Sequence, residues 1–202
     1  MTDLLTGTEG IRLGLDEYRR EFRDRQWQSG TESWKLECRQ HFREPGFPSW
    51  EAFARGDWAG ALRLMEDERE WLQDFFTRTR AFGMDLYRVR VVAKPVDPYL
   101  QWELALLKIR AECGERIRVI TPDRLDDDLP ELVTLGPRTL YRIIYDERGE
   151  LSGAVRYTDP AVVADAVDTM RGLYKQAEDI TSYFGREIAP LPPPRGEPTD
   201  DG

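Results

Sequence analysis

The segment from Leu86 to Ile120 constrains this chain more than any other. Leu86-Tyr87-Arg88-Val89-Arg90-Val91-Val92-Ala93 has the β-branched content and alternation of a strand. Asp97 then offers a cap and Pro98 a first-turn proline for a helix from Tyr99 to Glu112, which Gly114 stops. Arg116-Ile117-Arg118-Val119-Ile120 reads as a second strand. Two strands joined through a helix have to lie parallel, with a right-handed crossover. That unit places the chain in the α/β class.

The remaining sequence supplies elements to surround it. A helix is expected from Gly10 to Arg25, with Leu15, Tyr18 and Phe22 on one face, before a polar break at Gln28-Ser29-Gly30. Trp34 to Gln40 alternates as a half-buried strand, which Pro45, Gly46 and Pro48 end. Ser49 can cap a short helix, and a longer one is expected from Asp57 to Ala81, with Leu62, Met65, Trp71, Leu72, Phe75 and Phe76 as its apolar stripe. Thr139–Tyr145 and Leu151–Thr158 form a hairpin, and Asp159-Pro160 opens a helix running to Phe184. The expectation is a mixed, Rossmann-like sheet of about five strands with helices on both faces. Residues 1–30 read as an N-terminal helix and linker, 31–187 as a single α/β domain, and 188–202 as a disordered Pro-rich tail.

Composition narrows the function classes. The net charge of −9 over 202 residues argues against coating nucleic acid by charge alone, and the arginines 19, 20, 23 and 25 are diluted by Asp16, Glu17, Glu21 and Asp24. No apolar run reaches the ~20 residues that cross a bilayer, and the first residues do not resemble a signal peptide. A cytoplasmic protein with Cys38 and Cys113 reduced is expected. No dinucleotide or P-loop glycine motif is present, and the one histidine, His41, is read as packed or superficial. No metal or cofactor is expected; the acidic run Asp126–Asp128 is read as a solvated loop.

Open α/β sheets bind ligands outside the carboxyl ends of their parallel strands. Here that edge is the loop from Ala93 to Pro98 and the helix turn beyond it. Tyr99 and Glu103 are four residues apart and so share a helix face, with Trp102 between them. A phenol and a carboxylate so placed can grip an amine, and the carboxylate can serve as a general base. The alternative is that Glu103 pairs with Arg88 or Arg90 and Tyr99 packs beside it. Arg88 and Arg90 point to one sheet face, where they need either carboxylate partners or an anionic ligand. Arg142 on the hairpin raises the same question.

Trp34-Lys35-Leu36-Glu37, Arg88-Val89-Arg90-Val91-Val92 with Pro95, Tyr99 and Glu103-Leu104 together resemble a group of actinobacterial proteins encoded beside helix-turn-helix regulators. A strand followed by a helix carrying Tyr-x-x-x-Glu also resembles the cyclodipeptide synthases. These are similar in turn to the leucyl-tRNA-dependent aminoacyltransferase of blasticidin S biosynthesis. This second resemblance implies an aminoacyltransferase taking its amino acid from aminoacyl-tRNA and passing it to an amine-bearing small molecule. Tyr99 and Glu103 would be catalytic, and Arg88, Arg90, Trp102 and Arg142 would bind substrate. The chain departs from that family in lacking the Gly-x-Ser nucleophile after the first strand, Ser33 being a poor substitute. The first resemblance implies instead a non-enzymatic protein that binds a ligand or a regulator partner.

Overall fold

A computed structural model describes residues 5, 7–26, 32–125 and 129–194. One sheet holds β1 (Ile11–Gly14), β2 (Ser33–Glu37), β3 (Leu86–Val91), β4 (Arg116–Ile120), β5 (Leu132–Leu135), β6 (Thr139–Tyr145), β7 (Leu151–Tyr157) and β8 (Glu178–Asp179). Their order across the sheet is β1-β7-β6-β5-β2-β3-β4-β8. The helices are α1 (Leu15–Arg25), α2 (Pro48–Ala54), α3 (Trp58–Asp67), α4 (Arg69–Ala81), α5 (Pro98–Cys113), α6 (Pro160–Gln176) and α7 (Ile180–Tyr183), the last continuing into a wide turn over Phe184–Ile188. Among the described residues no helix is long and apolar enough to cross a membrane.

The parallel unit read from the sequence stands at the centre, with β2, β3 and β4 parallel in consecutive order. Because both crossovers step the same way, α2 to α5 lie on one face. They bury Phe53, Met65, Phe76, Leu104 and Leu107 against Ile117 and Val119. The other face carries Trp34, Leu36, Val89, Val91 and Ile120, covered by Val163, Ala166 and Met170 of α6. After β4 the chain returns to the far side of β2 and continues antiparallel through β5, β6 and β7. There α1 covers the first face, with Tyr18 against Val133, Leu135 and Tyr141. Two separate helical layers therefore share one face and leave a seam above β5 and β2.

The sheet has eight strands where about five are expected. The added ones are β1, β5 and β8. Leu132–Leu135 is buried at every position and so lacks the alternation that marks a half-buried strand. Ile11–Gly14, read as the start of a helix, is an edge strand paired with β7, so the N-terminal segment is part of the sheet. The expected helix to Phe184 ends at Gln176, and Glu178–Asp179 pairs with β4 before α7 begins. The expected helix over 57–81 breaks at Glu68, turning Trp71 outward to 61% exposure. Ile188 is buried, the tail is described as far as Pro194, and its remainder lies outside the described residues, as do Asp126–Asp128.

The β1–β7 edge depends on a close approach. Gly153 has φ +151°, and a Cβ there would lie 2.4 Å from the Leu13 carbonyl oxygen. Gly153→Ala is expected to cost roughly 1–3 kcal/mol and to loosen β1 and α1 first. Urea unfolding and amide exchange at β1 check this; an unchanged midpoint would refute it.

Candidate functional site

The seam above β5 and β2 is hollow. It opens to solvent and encloses about 330 Å³. Tyr18 and Phe22 of α1 form one wall, Phe75 of α4 and Met84 the opposite one, and Val133, Leu135 and Ile143 part of the floor. Lys35 and Arg88 form the polar floor, with Arg110 and Glu115 beside them and Arg43, Glu44 and Tyr145 at one end. An apolar chamber with a few fixed polar groups is the usual form of a small-molecule site.

The polar floor is a chain of alternating charges. Lys35 Nζ lies 2.5 Å from Glu37 Oε1, and Arg88 Nη1 donates to Glu37 Oε2 at 2.6 Å. Arg88 Nε donates to Glu115 Oε1 at 2.8 Å, and Arg110 Nε to Glu115 Oε2 at 2.5 Å. Glu37, Arg88 and Glu115 are all buried. Burial by itself raises the pKa of Glu37, but Arg88, Lys35 and Arg90 outweigh it and hold the carboxyl far below its usual range. Glu115 is likewise lowered, burial being overcome by Arg110 and Arg88. Both carboxylates therefore stabilise the fold above the ordinary carboxylate range, and that contribution is lost as pH falls toward their depressed native values.

Glu44 differs from these. Its residue reaches solvent at the chamber end, and its carboxylate has no hydrogen-bond or ion-pair partner among the described residues. Surrounding protein pushes its pKa up to about 6; Lys35 and Arg88 oppose the shift, and Glu37 and Glu103 reinforce it.

Of Tyr99, Glu103, Arg88, Arg90, Trp102 and Arg142, Arg88 alone joins this chamber. Tyr99 and Glu103 do stand on one face of α5, but they are 1% and 5% exposed. Arg90 Nε donates to Glu103 Oε2 at 2.7 Å, and Arg90 Nη1 to the carbonyls of Val91 and Glu37 at 2.9 and 3.2 Å. Burial and the charge of Glu37 raise the Glu103 carboxyl against the pull of Arg90. Of the two sequence alternatives, the packed ion pair is the arrangement present. Trp102 is buried among Phe47, Phe53 and Tyr99. Arg142 sits in β6 on the same sheet face as Leu140, turned away from the chamber. His41 Nδ1 lies 3.4 Å from Asp97 Oδ1 at the start of α5. Cys38 and Cys113 form no disulfide. Among the described residues no three His, Cys, Asp or Glu side chains gather as a metal site.

The carboxyl ends of β2 and β3, where a ligand was expected, are closed by Gln40. Its amide donates to the carbonyls of Cys38 and Val91 at 2.5 and 3.0 Å and accepts from Ala93 N at 2.6 Å. Glu131 holds the same end of β2, accepting from Cys38 N at 2.9 Å and Arg39 N at 2.6 Å. The chamber instead runs along the sheet face toward the amino ends of β2 and β3, at Ser33 and Leu86.

The family model described as a domain of unknown function, DUF6879, matches residues 20–185. The chain belongs to this family. No curated protein matches it. The matched span contains every chamber residue except Tyr18. Sequence reasoning missed Lys35, Glu44 and Glu115 because each stands among ordinary surface-type charges. The one available signal was the alternation of Lys35 and Glu37 on the strand face shared with Arg88 and Arg90.

Glu103→Gln removes the charge that compensates Arg90, and truncating one partner of a buried pair typically costs about 3–5 kcal/mol. An Arg90→Met/Glu103→Leu double variant is expected to recover most of that loss. Urea denaturation of the single and double variants checks this; a single-variant loss below about 1 kcal/mol would show that the pair is energetically idle.

Proposed function

We propose that this chain is a ligand-binding protein and that its ligand, a small organic molecule, occupies the seam chamber. The observation that carries the reading is the chamber itself, a solvent-open hollow with apolar walls set against charges fixed by their neighbours. Such a floor is preorganised: Arg88 is held by Glu37 and Glu115 and need not reorder when a guest arrives. The resemblance to proteins encoded beside helix-turn-helix regulators suits a chain whose output is an occupied or an empty chamber.

The aminoacyl-transfer reading asks more of the same residues. Glu103 would have to leave Arg90 and meet solvent before it could act as a base. Ser33, which does reach the chamber, accepts from Gly136 N at 3.1 Å and points its hydroxyl toward Met84 Sδ. No base lies within hydrogen-bond distance of that hydroxyl among the described residues.

Two measurements test the proposal. N-phenyl-1-naphthylamine, a neutral apolar dye, is expected to gain fluorescence saturably at one site per chain. Ile143→Trp, which fills the floor, is expected to weaken that binding at least tenfold while the fold survives. A folded wild-type chain that gives no saturable signal would overturn ligand binding in the chamber. Separately, radiolabelled aminoacyl-tRNA is expected to lose label at the spontaneous rate, with or without the protein. Faster loss that disappears in Tyr99→Phe/Glu103→Gln would replace binding by transfer.

A further inference from the structure

We propose that the chamber selects an amine. Its ligand carries a protonated amino group held by the Glu44 carboxylate at the mouth and an aromatic or branched apolar body laid along Val133, Ile143 and Phe22. This inference rests on the ligand-binding reading and adds the chemical class of the guest.

Most of the charge lining the chamber is already paired. Lys35 and Arg88 already hold Glu37 between them, and Arg88 and Arg110 hold Glu115. An anionic guest would have to compete with carboxylates fixed at 2.5 to 2.8 Å. Arg43 lies over the Trp50 ring, with its guanidinium carbon 6.0 Å from the ring centroid. Glu44 is the one acidic side chain of the chamber lining that no ion pair engages among the described residues. Glu44 is solvent-exposed at the mouth. Protein crowding on one side raises its carboxyl, Lys35 and Arg88 oppose the rise, and the acids Glu37 and Glu103 add to it. An ammonium placed there gives the carboxylate the close partner it lacks, through a charge-assisted hydrogen bond. The Tyr145 ring lines the same end and is itself influenced by Glu44, but its π-system already carries the Arg39 guanidinium, 5.7 Å from the centroid, so the cation is left to the Glu44 carboxylate.

The groups that face Glu44 also set the pH dependence. They are Lys35 and Glu37 from β2, Arg88 from β3, and Tyr99 and Glu103 from α5, with Tyr145 from β6. Of these Glu44, at the chamber mouth, has its pKa brought to about 6, which lies between pH 5 and 7.5. An ammonium binds the ionised carboxylate, so amine affinity falls as pH drops through that value. The stability effect has the opposite sense. A carboxyl with a raised native pKa favours the fold when protonated, and that advantage is lost as pH rises through about 6. Glu44→Gln therefore keeps or raises the melting temperature at pH 7.5 while losing the ligand, which separates a binding role from a structural one.

The experiment compares three probes with one apolar body on the full chain by isothermal titration: 2-phenylethylamine, 2-phenylethanol and 3-phenylpropanoate. At pH 7.5 the amine is expected to bind at least tenfold more tightly than the alcohol or the acid. That advantage is expected to vanish in Glu44→Gln and to fall roughly tenfold at pH 5. Equal binding of the three probes, or preference for the acid, would overturn amine selection and leave the ligand-binding reading standing. Tight amine binding that survives Glu44→Gln would overturn the role of Glu44. Failure of all three probes, together with failure of the naphthylamine dye, would remove the ligand-binding reading as well.

Discussion

The structure is organised around a line of charges laid through the middle of its parallel strands. Lys35, Glu37, Arg88, Glu115 and Arg110 alternate in sign, each within hydrogen-bond distance of the next. Parallel strands are ordinarily apolar on both faces because both are covered. Here one face of β2 and β3 spends its positions on ions, and every ion needs its neighbour. The arrangement makes this part of the sheet intolerant of local change. Removing one member strands another in a medium where an isolated charge is costly. It also fixes side chains that would otherwise be long and mobile, giving a polar surface with a defined shape.

Topology then decides where that surface meets solvent. The parallel half is wound in one direction, so α2 to α5 crowd together over β3 and β4. The antiparallel half is covered by α1 alone. The two layers come from distant parts of the chain, and they leave a gap over part of β5 and β2. The chamber is thus a product of strand order. Its usual counterpart in open α/β sheets, the crevice at the carboxyl ends, is occupied by Gln40 and Glu131 acting on backbone groups. The residues of that edge, Tyr99 and Glu103, accordingly work as core, with Glu103 neutralising Arg90.

Much of the frame was legible in the sequence. Alternation in Leu86–Val91 and Arg116–Ile120, with caps at Asp97 and Gly114, is strong local information, and the parallel pair follows from the length of the connection. The same alternation put Arg88 and Arg90 on one face. What stayed hidden was of two kinds. Some elements carry no local mark: β5 is apolar throughout, and the break between α3 and α4 at Glu68 uses neither glycine nor proline. The chamber is hidden for a deeper reason. Its walls come from α1, β2, β3, α4, β5 and β6, and no spacing rule links residues so far apart. Glu44 precedes Pro45 and Gly46 and reads as a charge in a loop; only the tertiary fold sets it above Lys35 and Arg88.

The position of α1 has one more consequence. This helix is joined to the sheet through the short edge strand β1 and rests on β7, whereas the opposite wall belongs to the helices that follow β2. A guest lodged between Phe22 and Phe75 would bridge the start of the chain to its middle. Occupancy would act as a clasp on a segment hung from a four-residue strand. A filled hollow would thus tie α1 to α4 by a contact that an empty one lacks.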